Sequence, residues 1–596
     1  MDIYSSAIAA SVILYILVGN YAGRRVKGLD DYFVSGRQAP TVLIVGTLTA
    51  SLLSTNTFLA ETGMAYTHWA GPWILFPPLL VMGYIYGSLF FGRYLRRSRA
   101  ITVADFLGQR FDRRVQIVAG LTIVLGLGGY LLAVTQGAAV ILSELTALSY
   151  TRALFVAWVS YTAFTIYSGS KGVVLTDTMM FFLFFTVTLL GLFYIVGHHG
   201  GWTTAFDGLV TLEQKPNLMA WHGMTGPDMQ WKTPAELAIW QIVIGLAWSL
   251  VVAVSPWQAS RYLIARNEQV VIRSAVIAAV VLPCIGVGLY ATAATVNLSK
   301  PDIQPMESTM IWAATNLLPG WLGALMMAGL MAAALSSATT FLSLVGFSLS
   351  HDVLSQGRRH GSDEHMLRFS RFMMLAVGVV VLVIALVTPL SIWLITNVVG
   401  PSFASSWGPV AFMSVWSDRI TSKAAVWGMI VGFALNVVPR LMEIAGWLTL
   451  PVYLHPIIIG SACGLATIIF LSRRGQVTEG ERAYRLRLHE TPEEEQDPGA
   501  AQLTTWVVSL LAVFGISVAL LFATSYVEPY QTLTGLRKDG SVDWLRGEGI
   551  ETIAWAVLFP SFALLAYATV KRSYSKWPDL SSPEESTGQR PMDQEV

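Results

Sequence analysis

The sequence is poor in charge and has almost no cysteine. Of 596 residues, 13% are charged and two are cysteine, whereas soluble proteins carry about 25% charged residues. Cys284 and Cys463 both lie in apolar runs, so neither a disulfide framework nor a cysteine metal motif is expected. A net charge of +1 gives no sign of nucleic-acid binding. The chain has no glycine-rich phosphate loop of the P-loop type, so ATP is not the expected energy source.

Long apolar runs follow one another almost end to end, and the mean hydropathy is +0.56. Each run is long enough to cross a bilayer at roughly 20 residues per span. The pattern predicts an all-α polytopic membrane protein in which the first run is a retained helix and not a signal peptide. About 15 spans are expected, near residues 5–22, 41–66, 72–95, 117–145, 150–169, 174–198, 234–258, 273–297, 320–350, 369–391, 394–418, 422–443, 453–472, 502–525 and 550–571.

Arginine and lysine concentrate in alternate loops, which predicts the orientation of the chain. The first such loop follows the first span, and the richest, 93–114, follows the third. Because basic residues favour the cytoplasmic side, we expect an external N-terminus and a cytoplasmic C-terminus. Arg440 and a cluster near Arg537 are exceptions. The remaining soluble parts are a cytoplasmic linker at 473–501 and a disordered tail at 572–596, both too short for a catalytic domain.

Four hydroxyls lie within little more than one helical turn of the ninth predicted span. They are Ser336, Ser337, Thr339 and Thr340. A cluster of neutral oxygens at membrane depth suits a hard, singly charged cation, by extension from the divalent ions. Ser and Thr in membrane helices also bond to their own backbone or to a neighbouring helix. The residues alone leave both readings open.

The second predicted span is interrupted by polar residues between Ser51 and Thr62, which favours a local break in the helix. Such breaks at membrane depth are tolerated beside protein or a water-filled cavity, and transporters use them to offer free carbonyls. Glu61 is an intramembrane acid and therefore a functional candidate. It fits equally a place in a pocket or at the outer water interface.

Two later spans carry further polar residues. Asp177 lies one turn into the sixth span, where its spacing favours a helix N-terminal cap over a cation stop on the inward path. In the seventh span, Pro256 is expected to bend or end the helix. Trp257 and Gln258 read as interfacial anchors.

Several motifs in order resemble those of the sodium:solute symporter family, over about residues 31–470. The motifs are DYFVSGR at 31–37, ASLLSTNTFL at 50–59, TVADFL at 102–107 with RF at 110–111, TD at 176–177, a looser match at 258–267, and LSSAT at 335–339 with Asp352 downstream. The resemblance implies a LeuT-type core of two inverted five-helix repeats. Its implied boundaries are an extra helix and loop at 1–40, repeats at 41–198 and 234–418 around an external loop at 199–233, extra helices at 419–472, the linker at 473–501, two helices at 502–571, and the tail.

The resemblance also implies ligand positions. A first sodium ion is expected on the carbonyls of Ala50, Leu53 and Ala333 and the hydroxyls of Ser336 and Ser337. A second is expected on Asp177, Ser336, Thr339 and Thr340. The substrate positions are Ser54, Thr57, Phe58, Glu61 and Trp248. Thr57, Trp248 and Val251 stand where sugar-transporting relatives have other side chains, so a sugar-type pocket is not expected.

The expected function is sodium-coupled import of a small polar organic solute by alternating access, without covalent chemistry. The expected setting is the plasma (inner) membrane, with a lipid bilayer and a small solute as partners and no obligate protein partner. Two alternatives stay open: a membrane sensor with a transporter-like core, and proton coupling through Glu61 and Asp177.

Overall fold

A computed structural model describes residues 2–146, 148–355, 363–388, 392–537 and 539–574. Long helices dominate these residues, and the extended pairing described among them is an isolated bridge between Ala39 and Ala265. The long helices are α1 (Ile3–Gly23), α2 (Thr41–Leu52), α3 (Asn56–Leu75), α4 (78–98), α5 (Arg113–Leu145), α6 (Tyr150–His198), α7 (Pro234–Val254), α8 (Pro256–Ile264), α9 (Glu268–Val296), α10 (Gly320–Phe347), α11 (Asp363–Val387), α12 (Ile392–Trp416), α13 (Ser422–Ile444), α14 (Pro456–Arg474), α15 (Pro498–Phe522) and α16 (Gly547–Tyr574).

The number of membrane spans differs from the sequence expectation. By length and hydropathy, 11 helices of the described chain qualify, or 12 when the bent pair α2–α3 is one span. One reason is α6, which counts once although Gly169 interrupts it with φ 56° and ψ −148°. Its 49 residues extend about 74 Å at 1.5 Å per residue, more than twice the hydrocarbon thickness of about 30 Å. The figure of about 15 stays a prediction.

Helix α10 lies at the centre of the molecule. In its most apolar stretch 94% of the residues are buried, compared with 17% in α1. It packs against α1, α5 and α6, and small residues such as Gly329 let the neighbouring helix approach closely. A Cβ at Gly329 would lie 2.8 Å from a methyl carbon of Val187. The hydroxyl cluster of α10 is therefore enclosed by protein and does not face lipid.

Two interrupted helices stand at the start of the two predicted repeats. The first is α2–α3, bent by 58°, and the second is α7–α8, where Ser255 adopts an extended conformation with φ −60° and ψ 144°. Pro256 follows at the first position of α8, which it occupies without losing a helical hydrogen bond. This pair of breaks fits the LeuT-type core, while the exact repeat boundaries stay a prediction.

The segments outside the long helices pack on the core. In the predicted linker, residues 479–489 form a helix with a capping box between Thr478 and Glu481. In the predicted external loop, the carbonyl of Leu218 accepts a hydrogen bond from the Gly71 amide at 3.1 Å. The predicted disordered tail lies mostly outside the described residues, apart from 572–574 at the end of α16.

Candidate functional site

The break between α2 and α3 exposes backbone oxygens inside the protein. Leu53 ends α2 with φ −77° and ψ 105°, and its amide donates the last helical bond to Thr49 at 3.0 Å. The last four carbonyls of a helix lack intrahelical partners, and Ala50 belongs to that group. The following turn, Asn56–Glu61, is a π-helix, a conformation common at functional sites.

The α10 hydroxyls face this break. The Ser336 hydroxyl donates to the carbonyl of Ala50 at 2.9 Å and also lies 3.1 Å from the carbonyl of Ala333. The Ser337 hydroxyl is buried and has no hydrogen-bond partner within the described chain. A buried polar group without a partner is costly, so this unpaired hydroxyl, next along α10 from one that bonds to the end of α2, fits a cation ligand. These residues form what we call the upper cation cluster: Ala50, Leu53, Ala333, Ser336 and Ser337.

A second polar cluster lies one turn further along α10. The Asp177 carboxylate accepts from the Thr47 hydroxyl at 2.6 Å and from the Thr340 hydroxyl at 3.4 Å. The Arg261 guanidinium contacts both Thr340 and Asp177, the latter at 3.5 Å. The Thr339 hydroxyl instead donates to the Ser336 carbonyl of its own helix at 3.0 Å.

The Asp177 carboxylate thus bonds to side chains of two other helices, α2 and α10, and to Arg261 of α8. Its second carboxylate oxygen, Oδ1, is buried without a hydrogen-bond partner in the residues described. The helix-capping interpretation of Asp177 is therefore wrong, because the interruption of α6 lies at Gly169, two turns before Asp177, and the carboxylate bonds to side chains of other helices. Its ionic partner is Arg261.

A cavity of about 150 Å³ opens beside the upper cation cluster. Its walls come from both sides of the break, from α4, α7 and α9, and from single residues of α5 and α12. The predicted substrate residues that line it are Ser54, Thr57, Glu61 and Trp248. Phe58 is not among the lining residues: it is buried against Phe184, with ring centroids 5.7 Å apart.

Glu61 points into the cavity and not to the outer interface. Its Oε1 accepts from the Asn56 side chain at 2.7 Å, and its Oε2 accepts from the Tyr290 hydroxyl at 2.7 Å. Asn56 in turn accepts from the Thr396 hydroxyl at 2.8 Å. The carboxylate thus links the broken helix to α9 and, through Asn56, to α12.

The interfacial interpretation of Trp257 and Gln258 is wrong. Trp257 is 1% exposed and packs its ring on Tyr130 with centroids 5.5 Å apart. Gln258 is fully buried, donates to the Ser51 hydroxyl at 3.2 Å and accepts from the Tyr84 hydroxyl at 3.0 Å. The break at Ser255 turns α8 inward, so residues that would mark a membrane surface on a straight helix enter the core.

Arg261 was missed as a functional residue because it was counted only among the basic residues that set orientation. A signal was present, since an intramembrane acid such as Asp177 needs a partner. The described residues contain no cluster of three or more His, Cys, Asp or Glu side chains able to hold a metal ion. The oxygens of the upper cation cluster are carbonyls and hydroxyls, which suit an alkali cation.

Comparisons with known proteins identify the family of the chain. The model of the sodium:solute symporter family matches residues 32–432. The chain is 25% identical over 487 residues to the sodium/pantothenate symporter of Escherichia coli, covering 78% of the chain and 96% of that relative. It is 24% identical over 484 residues to the sodium/proline symporter of the same organism, covering 77% and 91%.

A solved structure supports the fold. The structure of a substrate-bound, outward-open, Na⁺-coupled sialic acid symporter superposes with a TM-score of 0.67 at 20% identity, covering 80% of this chain and 99% of that one. The resemblance seen in the sequence motifs is confirmed by the family match over most of the core. The chain belongs to the sodium:solute symporter family, and it is a multi-pass membrane transporter that couples solute import to sodium.

Proposed function

We propose that sodium binds in the upper cation cluster and that a small organic solute binds in the adjoining cavity. The observation that carries this proposal is the Ser337 hydroxyl, which is buried without a hydrogen-bond partner in the described chain and follows directly on Ser336, whose hydroxyl bonds to the end of α2 at Ala50. Together with the Ser336 hydroxyl and the carbonyls of Ala50, Leu53 and Ala333, it makes an oxygen set for a singly charged ion. The ion would relieve the unpaired hydroxyl that the structure leaves in the core.

The two sites share the break in the helix, which supplies the coupling. Leu53 and Ser54 line the cavity, and Leu53 also contributes its carbonyl to the proposed sodium site. Sodium that draws the end of α2 towards α10 therefore sets the position of residues that touch the solute. Binding free energies coupled in this way are reciprocal, so the solute also raises the affinity for sodium.

The second sodium position stays a proposal, and Arg261 is its competitor. The guanidinium already contacts Asp177 and Thr340, two of the four predicted ligands. A sodium ion that moves inward along α10 reaches Asp177 by displacing this guanidinium. The free Oδ1 of Asp177 offers the oxygen on which such an exchange can begin.

The orientation and the membrane are part of the proposal. We place the N-terminus outside and the C-terminus in the cytoplasm of a cell with this protein in its plasma (inner) membrane. The concentration of arginine in alternate loops, greatest in 93–114, supports this placement because basic residues favour the cytoplasmic side. The solute and the lipid bilayer are the proposed partners, with no obligate protein partner.

Uptake into proteoliposomes tests the proposed coupling. A screen of solutes by thermal shift in sodium first identifies a transported compound. We expect an inward sodium gradient to drive its accumulation and a potassium gradient of the same size to fail. Accumulation driven equally by a pH gradient without sodium would favour proton coupling through Glu61 and Asp177. Binding without uptake under any gradient would favour the sensor.

A further inference from the structure

The cavity is walled by aromatic rings. Eight aromatic residues line it: Trp69, Trp73, Phe76, Tyr130, Trp231, Trp240, Trp248 and Tyr290. Several of them pack on one another, so their rings are held in place: Trp231 lies 4.8 Å from Trp69 and 4.6 Å from Trp240 between ring centroids. The faces of aromatic rings attract cations, tryptophan most strongly.

The cavity also holds one carboxyl group. Glu61 is the only residue with an ionisable acid or base of the Asp, Glu, Lys, Arg or His type among the described lining residues. Its two hydrogen-bond donors, Asn56 and Tyr290, are neutral. They satisfy the carboxyl oxygens but bring no positive charge to the site.

Two basic side chains of neighbouring segments bond to other groups. Lys215, in the segment between α6 and α7, donates to the carbonyl of Tyr66 at 3.0 Å and to the Asn297 side chain at 2.6 Å. Arg261, in α8, is paired with Asp177. Neither lines the cavity. A buried carboxylate without a counter-charge is costly. A cation that enters this space is therefore attracted both by the carboxylate and by the aromatic rings.

We propose that the solute of this transporter is an organic cation, in which a substituted ammonium group lies against Glu61 and an apolar body packs on the tryptophans. The proposal rests on the solute cavity proposed above and gives it a substrate class. The charge is complementary to Glu61, and the wall of rings favours an alkylated ammonium, whose weakly hydrated methyl groups are readily transferred onto aromatic faces.

This class differs from the solutes in the names of two relatives above. A carboxylate such as pantothenate or sialic acid would bring a second negative charge beside Glu61, and like charges in a site of low polarity repel strongly. Import of a cation with sodium also moves two positive charges per cycle for one sodium ion. The membrane potential then acts on both charges.

A set of matched probes tests the charge preference directly. Purified protein in sodium is titrated with substituted ammonium ions, each paired with its neutral carbon isostere, as choline is with the alcohol in which a quaternary carbon replaces the nitrogen. The corresponding carboxylates form the third arm. Quenching of tryptophan fluorescence and thermal shift both report binding. We expect at least one cation to bind about tenfold or more tightly than its isostere, a difference of about 1.4 kcal/mol.

Substitution of the carboxylate tests its role. Glu61→Gln keeps the size of the side chain and removes its charge, so we expect the preference for the cation over the isostere to fall to the part that the aromatic rings contribute. Glu236→Gln makes the same change outside the cavity, where the Glu236 carboxylate accepts from the Lys232 amide at 2.8 Å, and should leave the preference intact. The comparison of probes in the unaltered protein stands even if Glu61→Gln does not fold.

The outcomes separate this proposal from the sodium site. Tighter binding of the neutral isosteres or of the carboxylates, or no binding by any cation of the set, overturns the cationic class. A preference for the cation that is as large in Glu61→Gln as in the unaltered protein also overturns it. The same thermal-shift experiment shows whether sodium stabilises the solute-free protein more than potassium does. If it does not, the result counts against the sodium site but leaves the charge preference in place.

Discussion

The guanidinium of Arg261 lies 3.5 Å from the carboxylate of Asp177, and the two side chains are 3% and 0% exposed. They join α8 to α6 through an ion pair on the proposed inward path. Breaking a buried pair by removing one partner is strongly destabilising because it leaves an uncompensated charge, whereas replacing both partners can be nearly neutral. The pair therefore predicts a specific pattern in a double-mutant cycle.

Asp177→Asn and Arg261→Gln should each lower the stability of the protein by about 3–5 kcal/mol. The double variant should recover most of this loss because no charge is then left unpaired. Thermal unfolding of the purified variants in detergent measures the effect. A double variant as unstable as the sum of the two single changes would show that the residues do not act as a pair.

The same contact bears on the number of sodium ions. While Arg261 contacts Asp177 and Thr340, we expect uptake to depend on sodium with a Hill coefficient of about one. The Hill coefficient cannot exceed the number of sodium sites, and only one is then open. Arg261→Gln opens the predicted second position, and the coefficient should rise towards about two. Arg261→Lys, which keeps the positive charge, is the matched control and should stay near the wild-type value. A steep dependence in the unaltered protein would mean that sodium displaces the guanidinium without help.

Gln258 connects the two interrupted helices and gives a third prediction. Its side chain bonds to Ser51 of α2 and to Tyr84 of α4. Gln258→Leu therefore leaves the Tyr84 hydroxyl without a partner and removes one of two bonds of the Ser51 hydroxyl, which also donates to the Leu48 carbonyl at 3.3 Å. A buried group left without a partner costs about 1–3 kcal/mol, and the lost Ser51 bond adds to that cost. Thermal unfolding should show a clear loss for Gln258→Leu and a smaller one for Tyr84→Phe, which removes one hydroxyl together with its bond. Equal losses in the two variants would contradict a bridging role for Gln258.

The proposed cytoplasmic face offers two arginine–glutamate pairs of opposite burial. Arg97 and Glu268 are 4% and 0% exposed, whereas Arg99 and Glu494 are 62% and 76% exposed. Glu268→Gln should cost about 3–5 kcal/mol because Arg97 loses its buried partner. Glu494→Gln, the control, should cost about 0–1 kcal/mol. A comparable loss in both variants of the purified transporter would show that burial does not set the strength of these pairs.

Much of the fold could be predicted from the sequence, because hydropathy predicts whether a single helix crosses the bilayer and basic loops predict how that helix is oriented. The break near Ser54 and the hydroxyl cluster on α10 were visible as polar residues inside apolar runs. The direction of α8 was not, since it depends on the extended Ser255 and on the packing around it. The expected interfacial position of Trp257 and Gln258 is wrong for that reason.

The substrate residues show the same limit. A local pattern placed Glu61 and Phe58 equally near the break, yet the helical turn directs one side chain into the cavity and the other against Phe184. The aromatic wall was not predicted because its residues come from α3 and the residue after it, from α5, α7 and α9, and from the segment between α6 and α7. Only the three-dimensional arrangement brings these distant rings together around one carboxylate.

The most direct measurement is a sodium titration of the purified transporter in which thermal unfolding is recorded at each sodium concentration. Potassium replaces sodium so that the ionic strength stays constant. We compare the unaltered protein with the double variant Ser336→Ala plus Ser337→Ala. The control is Ser343→Ala, also a buried serine of α10, whose hydroxyl donates to the Thr340 carbonyl at 2.8 Å. The account predicts that the double variant needs about tenfold more sodium, or about 1.4 kcal/mol, while the control matches the unaltered protein. Unchanged sodium dependence in the double variant would contradict the proposed sodium site.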